Sequence, residues 1–124
     1  AYIFKENLKD CELVRIPMPN NSLIHAWYKF YVYVKPELFS PDWNRERVIE
    51  AINQKGYPAF TGSCSEIYLE KSFKKLGFTP EKRLTNAKKL GETSIAFLVH
   101  PTISEEQVQE YSSQVRKILN MAKR

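Results

Sequence analysis

The fold is decided first by the stretch His25-Ala-Trp-Tyr-Lys-Phe-Tyr-Val-Tyr-Val34, whose alternation of side chains has the period of two that is typical of a β-strand. We predict a strand over residues 27–35, which Pro36 ends because proline lacks the N–H that strand pairing needs. One face is predicted to lie on the core, with Tyr28, Phe30, Val32 and Val34. The opposite face is amphipathic and is predicted to cover a helix or to meet a partner domain, with Trp27, Lys29, Tyr31, Tyr33 and Lys35.

Two further segments have strong patterns. Residues 94–100 are apolar on both faces, which indicates a strand that is covered on both sides. Ser104-Glu-Glu-Gln107 is a capping box, and the apolar stripe that follows it predicts a helix over 104–121, the longest of the chain. We expect the two strands to share one sheet.

Weaker patterns complete the architecture. They predict short strands at 13–16 and 57–61, and helices at 44–55, 66–76 and 85–90. Strands that alternate with helices indicate an α/β fold. We therefore predict a small two-layer sandwich, in which a mixed or antiparallel sheet of about three strands packs against helices.

Composition narrows the class of protein. The chain has 124 residues, 43% of them apolar and 27% charged, which suits a single soluble globular domain. It contains neither a run of about 18 apolar residues nor a signal-peptide pattern. The net charge of +5 comes from cations scattered among acids, which favours a solvated surface over a nucleic-acid interface. Cys11 and Cys64 lie outside any metal-binding motif, so we expect two free thiols in a reducing cytoplasm.

One predicted turn between a strand and a helix concentrates polar side chains: Ser63, Cys64, Ser65, Glu66 and Tyr68. Such a turn directs hydroxyls and backbone N–H groups to one place, and it can bind a substrate or simply cap the following helix. No Cys-His-Asn pattern supports a nucleophilic cysteine, and His25 and His100 have no third metal ligand. We predict a substrate-binding turn, and no catalytic, cofactor-binding or metal-binding residue.

Together with the first strand, Thr61-Gly-Ser-Cys-Ser-Glu-Ile-Tyr68 and Leu98-Val-His-Pro-Thr102 resemble the C-terminal small domain of the DegT/DnrJ/EryC1/StrS aminotransferases. These are fold-type-I enzymes that use pyridoxal phosphate and act on nucleotide-linked keto sugars. The resemblance runs from about Arg15 to about Leu119. It implies that residues 1–22 are a connecting segment, that 23–124 form the small domain, and that the cofactor-binding large domain lies upstream of Ala1.

The resemblance also implies a function for the whole enzyme. It would move an amino group from an amino acid, usually glutamate, to a nucleotide-linked keto sugar for polysaccharide or glycoside biosynthesis. It would act as a homodimer, without nucleic acid or membrane. The chain alone lacks the cofactor lysine, so we expect it neither to hold pyridoxal phosphate nor to transaminate. Many family members carry a His-Tyr pair where this chain has Gly62, Ser63 and Cys64, which indicates a subgroup with its own substrate.

Two other functions fit the same residues. A stand-alone α/β module of this size can bind RNA or a small effector, and exposure of Tyr31 and Tyr33 on the sheet would favour that function. A purely structural domain would instead use the aromatic face of the first strand as a contact with a protein partner.

Overall fold

A computed structural model describes all 124 residues of the chain. Its helices are α1 (Tyr2–Leu8), α2 (Arg45–Gln54), α3 (Lys71–Lys75), α4 (Thr85–Thr93) and α5 (Glu105–Ala122). Its strands are β1 (Val14–Arg15), β2 (Lys29–Val34), β3 (Ala59–Thr61) and β4 (Ser94–Leu98). Short 3₁₀ turns occupy Pro36–Leu38 and Ile67–Leu69. The α/β class predicted from the sequence is confirmed.

The four strands form one antiparallel sheet in the order β1-β2-β4-β3. The two strongly patterned strands pair at its centre, as predicted, with Phe30 opposite Phe97 and Tyr31 opposite Ala96. The sheet has four strands, where about three were expected, because the short strand predicted at 13–16 joins it at the edge, with Val14 paired to Val34.

One face of the sheet, the core face, packs against α1, α2 and α5. Phe30, Val32, Ile95 and Phe97 on this face have no exposed surface. Helix α5 covers them, and its capping box is present: Ser104 Oγ accepts from Gln107 N at 3.2 Å, and Ser104 N donates to Gln107 Oε1 at 2.9 Å. This is the longest helix of the chain, as the apolar stripe predicted.

Helix α1 was not predicted from the sequence, because it has only seven residues and no side-chain cap. Tertiary packing holds it. The Phe4 ring stacks on Phe30 and Phe97 at centroid distances of 5.4 and 5.1 Å, and the Asn7 side-chain amide donates to Ser112 Oγ at 2.5 Å. The first residues, which the family resemblance implies to be a connecting segment, therefore contribute Phe4 and Leu8 to the core. Their role as a connection between domains stays a prediction.

Two details differ from the sequence-based prediction. The single helix expected at 66–76 is a 3₁₀ turn followed by α3, with Glu70 in an extended conformation between them. Tyr28, expected in the core, is 84% exposed. The strand begins only at Lys29, because Trp27 adopts a positive φ of 49° and its ring turns back to within 5.8 Å of the Phe30 ring.

The opposite face of the sheet, which we call the second face, is only partly covered. Helix α4 lies against it, Ser94 and Ala96 are buried, and Tyr31 and Tyr33 are half-buried. Cys11 is buried and Cys64 is exposed, and neither forms a disulfide. None of the helices combines the length and apolar character needed to cross a bilayer.

Candidate functional site

Strand β3 leads directly into the turn that holds the predicted site residues, and it places this turn on the second face of the sheet. Directly after Thr61, Gly62 adopts a φ of +44°, and a Cβ at this position would lie 2.6 Å from Ser94 Oγ and 3.1 Å from Tyr31 Cε1. Only glycine lets the backbone approach the sheet so closely without displacing these side chains. The next residue, Ser63, then places its Oγ 3.0 Å from the Tyr31 hydroxyl.

The turn forms one wall of an open cleft of about 510 Å³, which we call the hydroxyl cleft. Its lining is Tyr31, Tyr33, Ser63, Cys64, Ser65, Ala87, Leu90 and Ser94. Five of these side chains carry a hydroxyl, and a hydroxyl both donates and accepts hydrogen bonds. The aliphatic and aromatic carbons between them offer apolar contact. The cleft therefore suits a small ligand that has several hydroxyl or carbonyl oxygens.

Glu66 and Tyr68 lie behind this cleft and are bound to one another. The Glu66 carboxylate accepts from Arg83 Nε at 2.7 Å, from Arg83 Nη2 at 2.6 Å and from the Tyr68 hydroxyl at 2.6 Å. The Tyr68 hydroxyl in turn accepts from the backbone N–H of Leu84 at 3.0 Å. These bonds attach the turn to the segment that leads into α4.

This network shifts the ionisation of its members. The hydrogen bonds from Arg83, and then the one from Tyr68, lower the pKa of Glu66 from 4.5 to about 2. Burial, with a smaller effect of Glu66, raises the pKa of Tyr68. Glu66 is thus a fixed anion that is already fully engaged, which makes it a positioning group rather than a general acid or base.

The structure therefore divides the five predicted site residues. Ser63, Cys64 and Ser65 line the hydroxyl cleft, whereas Glu66 lines a more polar recess behind it and Tyr68 is buried. The Cys64 thiol lies 3.7 Å from the Glu70 carboxylate. His25 Nδ1 accepts from Trp27 N at 2.9 Å, and His100 Nδ1 lies 2.8 Å from Thr102 Oγ1. No group of three His, Cys, Asp or Glu side chains is arranged to hold a metal ion.

The sequence-based site missed four residues that complete the cleft and its support. The alternation along β2 predicts that Tyr31 and Tyr33 lie on the non-core face but does not connect them to the turn, and Ser94 and Arg83 lie outside the predicted site. One available signal was the serine at the start of an otherwise apolar strand. The connection itself depends on the β2-β4-β3 pairing, which places residues far apart in sequence on adjacent strands.

Comparison with known proteins agrees with this fold. The profile of the DegT/DnrJ/EryC1/StrS aminotransferase family matches residues 1–116. The aminotransferase from Psychrobacter cryohalolentis has a similar structure, with a TM-score of 0.89 and 37% identity over 98% of this chain and 33% of that one. No curated protein sequence matched.

More distant structures share the fold. Helicobacter pylori PseC, an aminotransferase involved in the biosynthesis of pseudoaminic acid, has a TM-score of 0.74 and 17% identity over 97% of this chain and 31% of that one. The E. coli GDP-4-keto-6-deoxy-D-mannose-3-dehydratase with bound hydrated PLP has a TM-score of 0.70 and 16% identity over 95% and 28%. The chain thus spans about a third of the length of the solved structures it matches, and it belongs to the DegT/DnrJ/EryC1/StrS aminotransferase family.

Proposed function

We propose that this chain is the C-terminal small domain of a pyridoxal-phosphate-dependent sugar aminotransferase, with residues 1–22 as its connection to the large domain. The whole enzyme would transfer an amino group from an amino acid, glutamate in our proposal, to a nucleotide-linked keto sugar. It would work as a homodimer in the cytoplasm, in polysaccharide or glycoside biosynthesis. Family membership and the 37% identity to the Psychrobacter aminotransferase support this function.

The hydroxyl cleft is the main support for a sugar substrate. Ser63, Ser65 and Tyr31 would form hydrogen bonds with the sugar's hydroxyl and keto oxygens, and Cys64 would lie beside them. Glu66 and Tyr68 would hold the turn in place through Arg83 and Leu84 without touching the sugar. Hydroxyls held by the sheet and the turn are preorganised, so little ordering is needed when the substrate binds.

The residues of this chain do not fit the cofactor itself. Pyridoxal phosphate needs a lysine beside its reactive carbon and an acid near its ring nitrogen, both in a pocket that excludes water. No lysine of the chain is buried, and those in ion pairs meet surface carboxylates, such as Lys9 with Glu6 and Lys123 with Glu12. We therefore assign the cofactor and the chemistry of amino transfer to the large domain of the whole enzyme.

Separate half-reactions of the whole enzyme test the role of the cleft. Ser63→Ala and Tyr31→Phe each remove one hydroxyl, and one neutral hydrogen bond contributes about 0.5–1.5 kcal/mol. We expect kcat/KM for the sugar nucleotide to fall by up to about 10-fold in each variant, and the half-reaction with the amino donor to stay unchanged.

Ser72→Ala is the matched control, because Ser72 is an exposed serine of α3 outside the cleft. It should change neither half-reaction. Equal losses in both half-reactions, or no loss in either, would show that Ser63 and Tyr31 are structural.

Binding of nucleic acid is the alternative, and it is less well supported. Tyr31 and Tyr33 are half-exposed on one sheet face, as a base-stacking surface requires. However, the Tyr31 hydroxyl contacts Ser63, and the Arg15 guanidinium lies 4.5 Å above the Tyr33 ring, where a base would stack. Titration with an oligonucleotide at two salt concentrations tests this function, since phosphate contacts give a steep salt dependence.

A further inference from the structure

A second open cleft of about 450 Å³ adjoins the hydroxyl cleft. The two share Tyr33 and Leu90 as a common wall. We call it the cationic cleft, because three cations line it and only one carboxylate does: Arg15, Lys35 and Lys89 against Glu37. Asn86 contributes a side-chain amide. A ligand long enough to pass Tyr33 would therefore contact both clefts.

The three cations are not engaged with acids of the protein. None of Arg15, Lys35 and Lys89 takes part in an ion pair. The charge of Lys35 contributes to the lowered pKa of Glu12. However, the Glu12 carboxylate forms its ion pair with Lys123 Nζ, at 2.6 Å. Most of the positive charge of the cleft is thus uncompensated, which favours an anionic ligand.

The register of the sheet fixes the distance between the two clefts. Arg15 pairs with Tyr33, and Tyr33 pairs with Ser94, so the three residues form one row across β1, β2 and β4. Neighbouring strands lie about 4.8 Å apart, which places the Arg15 and Ser94 backbones about 10 Å from one another. The Arg15 guanidinium stacks over the Tyr33 ring at 4.5 Å, so it is held in the row.

We propose, on the basis of the function proposed above, that the cationic cleft binds a diphosphate group. Arginine presents a planar fork of N–H donors that matches phosphate oxygens, and the lysines add mobile charge. The diphosphate of the nucleotide-linked sugar would lie against Arg15, Lys35 and Lys89, and the sugar ring would extend past Tyr33 into the hydroxyl cleft. The keto group would then face Ser63, at the β3 edge of the sheet.

Titration of the 124-residue chain with sodium pyrophosphate at low ionic strength, followed by ¹H-¹⁵N NMR, tests the site without any sugar. We expect saturable shifts at the amides of Lys35, Asn86 and Lys89. The double variant Arg15→Gln/Lys89→Gln should bind pyrophosphate at least about 10-fold more weakly, because hydrogen bonds between charged groups are stronger than neutral ones.

The double variant Lys55→Gln/Lys117→Gln is the control. It removes the same charge from two exposed lysines that form no ion pair and lie outside both clefts, and it should bind pyrophosphate as the wild type does. Equal weakening in both double variants, or shifts that do not saturate, would overturn the proposal. The half-reactions of Ser63→Ala test the sugar function independently, so pyrophosphate binding with unchanged half-reactions would refute only that function.

Discussion

The two faces of the sheet are made from the same strands but differ in what they contact. In β2, Phe30 and Val32 point to the core face and are fully buried, whereas Tyr31 and Tyr33 point to the second face and line the clefts. Because side chains alternate between the two faces of a strand, one residue of β2 packs in the core while the next lines a cleft. Substitutions on the core face should mainly change the free energy of unfolding, and those on the second face should mainly change binding.

The largest effect is expected at the centre of the core. Phe4→Ala removes a ring that has no exposed surface and contacts Phe30, Phe97 and Tyr111. A cavity of this kind costs about 3–5 kcal/mol of unfolding free energy, which urea denaturation measures.

Phe60→Ala is the matched substitution on the second face, where Phe60 pairs with Ala96 and is 48% exposed. It should cost about 1 kcal/mol. Similar losses in the two variants would mean that the two faces do not divide stability and binding between them.

Gly62→Ala should have the next largest effect, because it disturbs the second face where the turn meets the sheet. Its positive φ strains any other residue, and the added Cβ would push Ser94 Oγ aside. We expect a loss of about 2–3 kcal/mol, together with NMR shifts at Tyr31 and Ser63.

Gly56→Ala separates strain from contact, since Gly56 also has a positive φ but no atom lies within 4 Å of the position that an added Cβ would take. It should cost about 1–2 kcal/mol and leave Tyr31 unchanged. If the two variants lost the same stability, the close approach of Gly62 to the sheet would be unimportant.

A smaller effect is expected for Glu66→Gln, and it should depend on pH. The folded-state pKa of about 2 lies below the ordinary value of 4.5, so ionised Glu66 stabilises the fold above about pH 4.5, and this stabilisation is lost as the pH falls towards 2. The urea midpoint of the variant should therefore be lower than that of the wild type at pH 7, and the two should converge near pH 2.5. A constant difference across this range would indicate that Glu66 acts through packing rather than charge.

The smallest effect on stability is expected for Tyr33→Phe. The Tyr33 ring lines both clefts, and the Arg15 guanidinium stacks on it. The substitution removes only the hydroxyl and keeps the ring. The free energy of unfolding should stay within about 0.5 kcal/mol of the wild type, as measured in urea. A loss above about 1 kcal/mol would assign the Tyr33 hydroxyl a structural role.

The parts of the fold that follow from local pattern could be predicted from the sequence. The two central strands and the capped helix α5 were predicted correctly. Alternation, helical periodicity and capping can each be recognised within a short stretch of sequence. Helix α1 could not be predicted, because Phe4 stabilises it through rings more than twenty residues away. The interruption of the predicted helix at Glu70 could not be predicted either. There, Tyr68 forms hydrogen bonds with Thr79 and Leu84, which are more than ten residues away in sequence.

The candidate site divides in the same way. The density of hydroxyls at Ser63 and Ser65 is visible in the sequence, and so is the family resemblance. Their meeting with Tyr31 and Ser94 depends on strand order and register, and the engagement of Glu66 by Arg83 joins residues separated by a turn and a helix. The polar residues of the turn therefore include some that would contact a ligand and others that hold the turn in place. Only their contacts in the folded structure distinguish the two groups.

The two ends of the chain meet in the folded protein, and this has a consequence for its biosynthesis. Asn7 bonds to Ser112 across 105 residues, and Lys123 pairs with Glu12 across 111. While the ribosome is still translating this segment, Phe4 and the core face of β2 have no α5 to cover them. The nascent chain must therefore expose an apolar surface until α5 emerges, which is the condition under which chaperones bind and aggregation competes with folding.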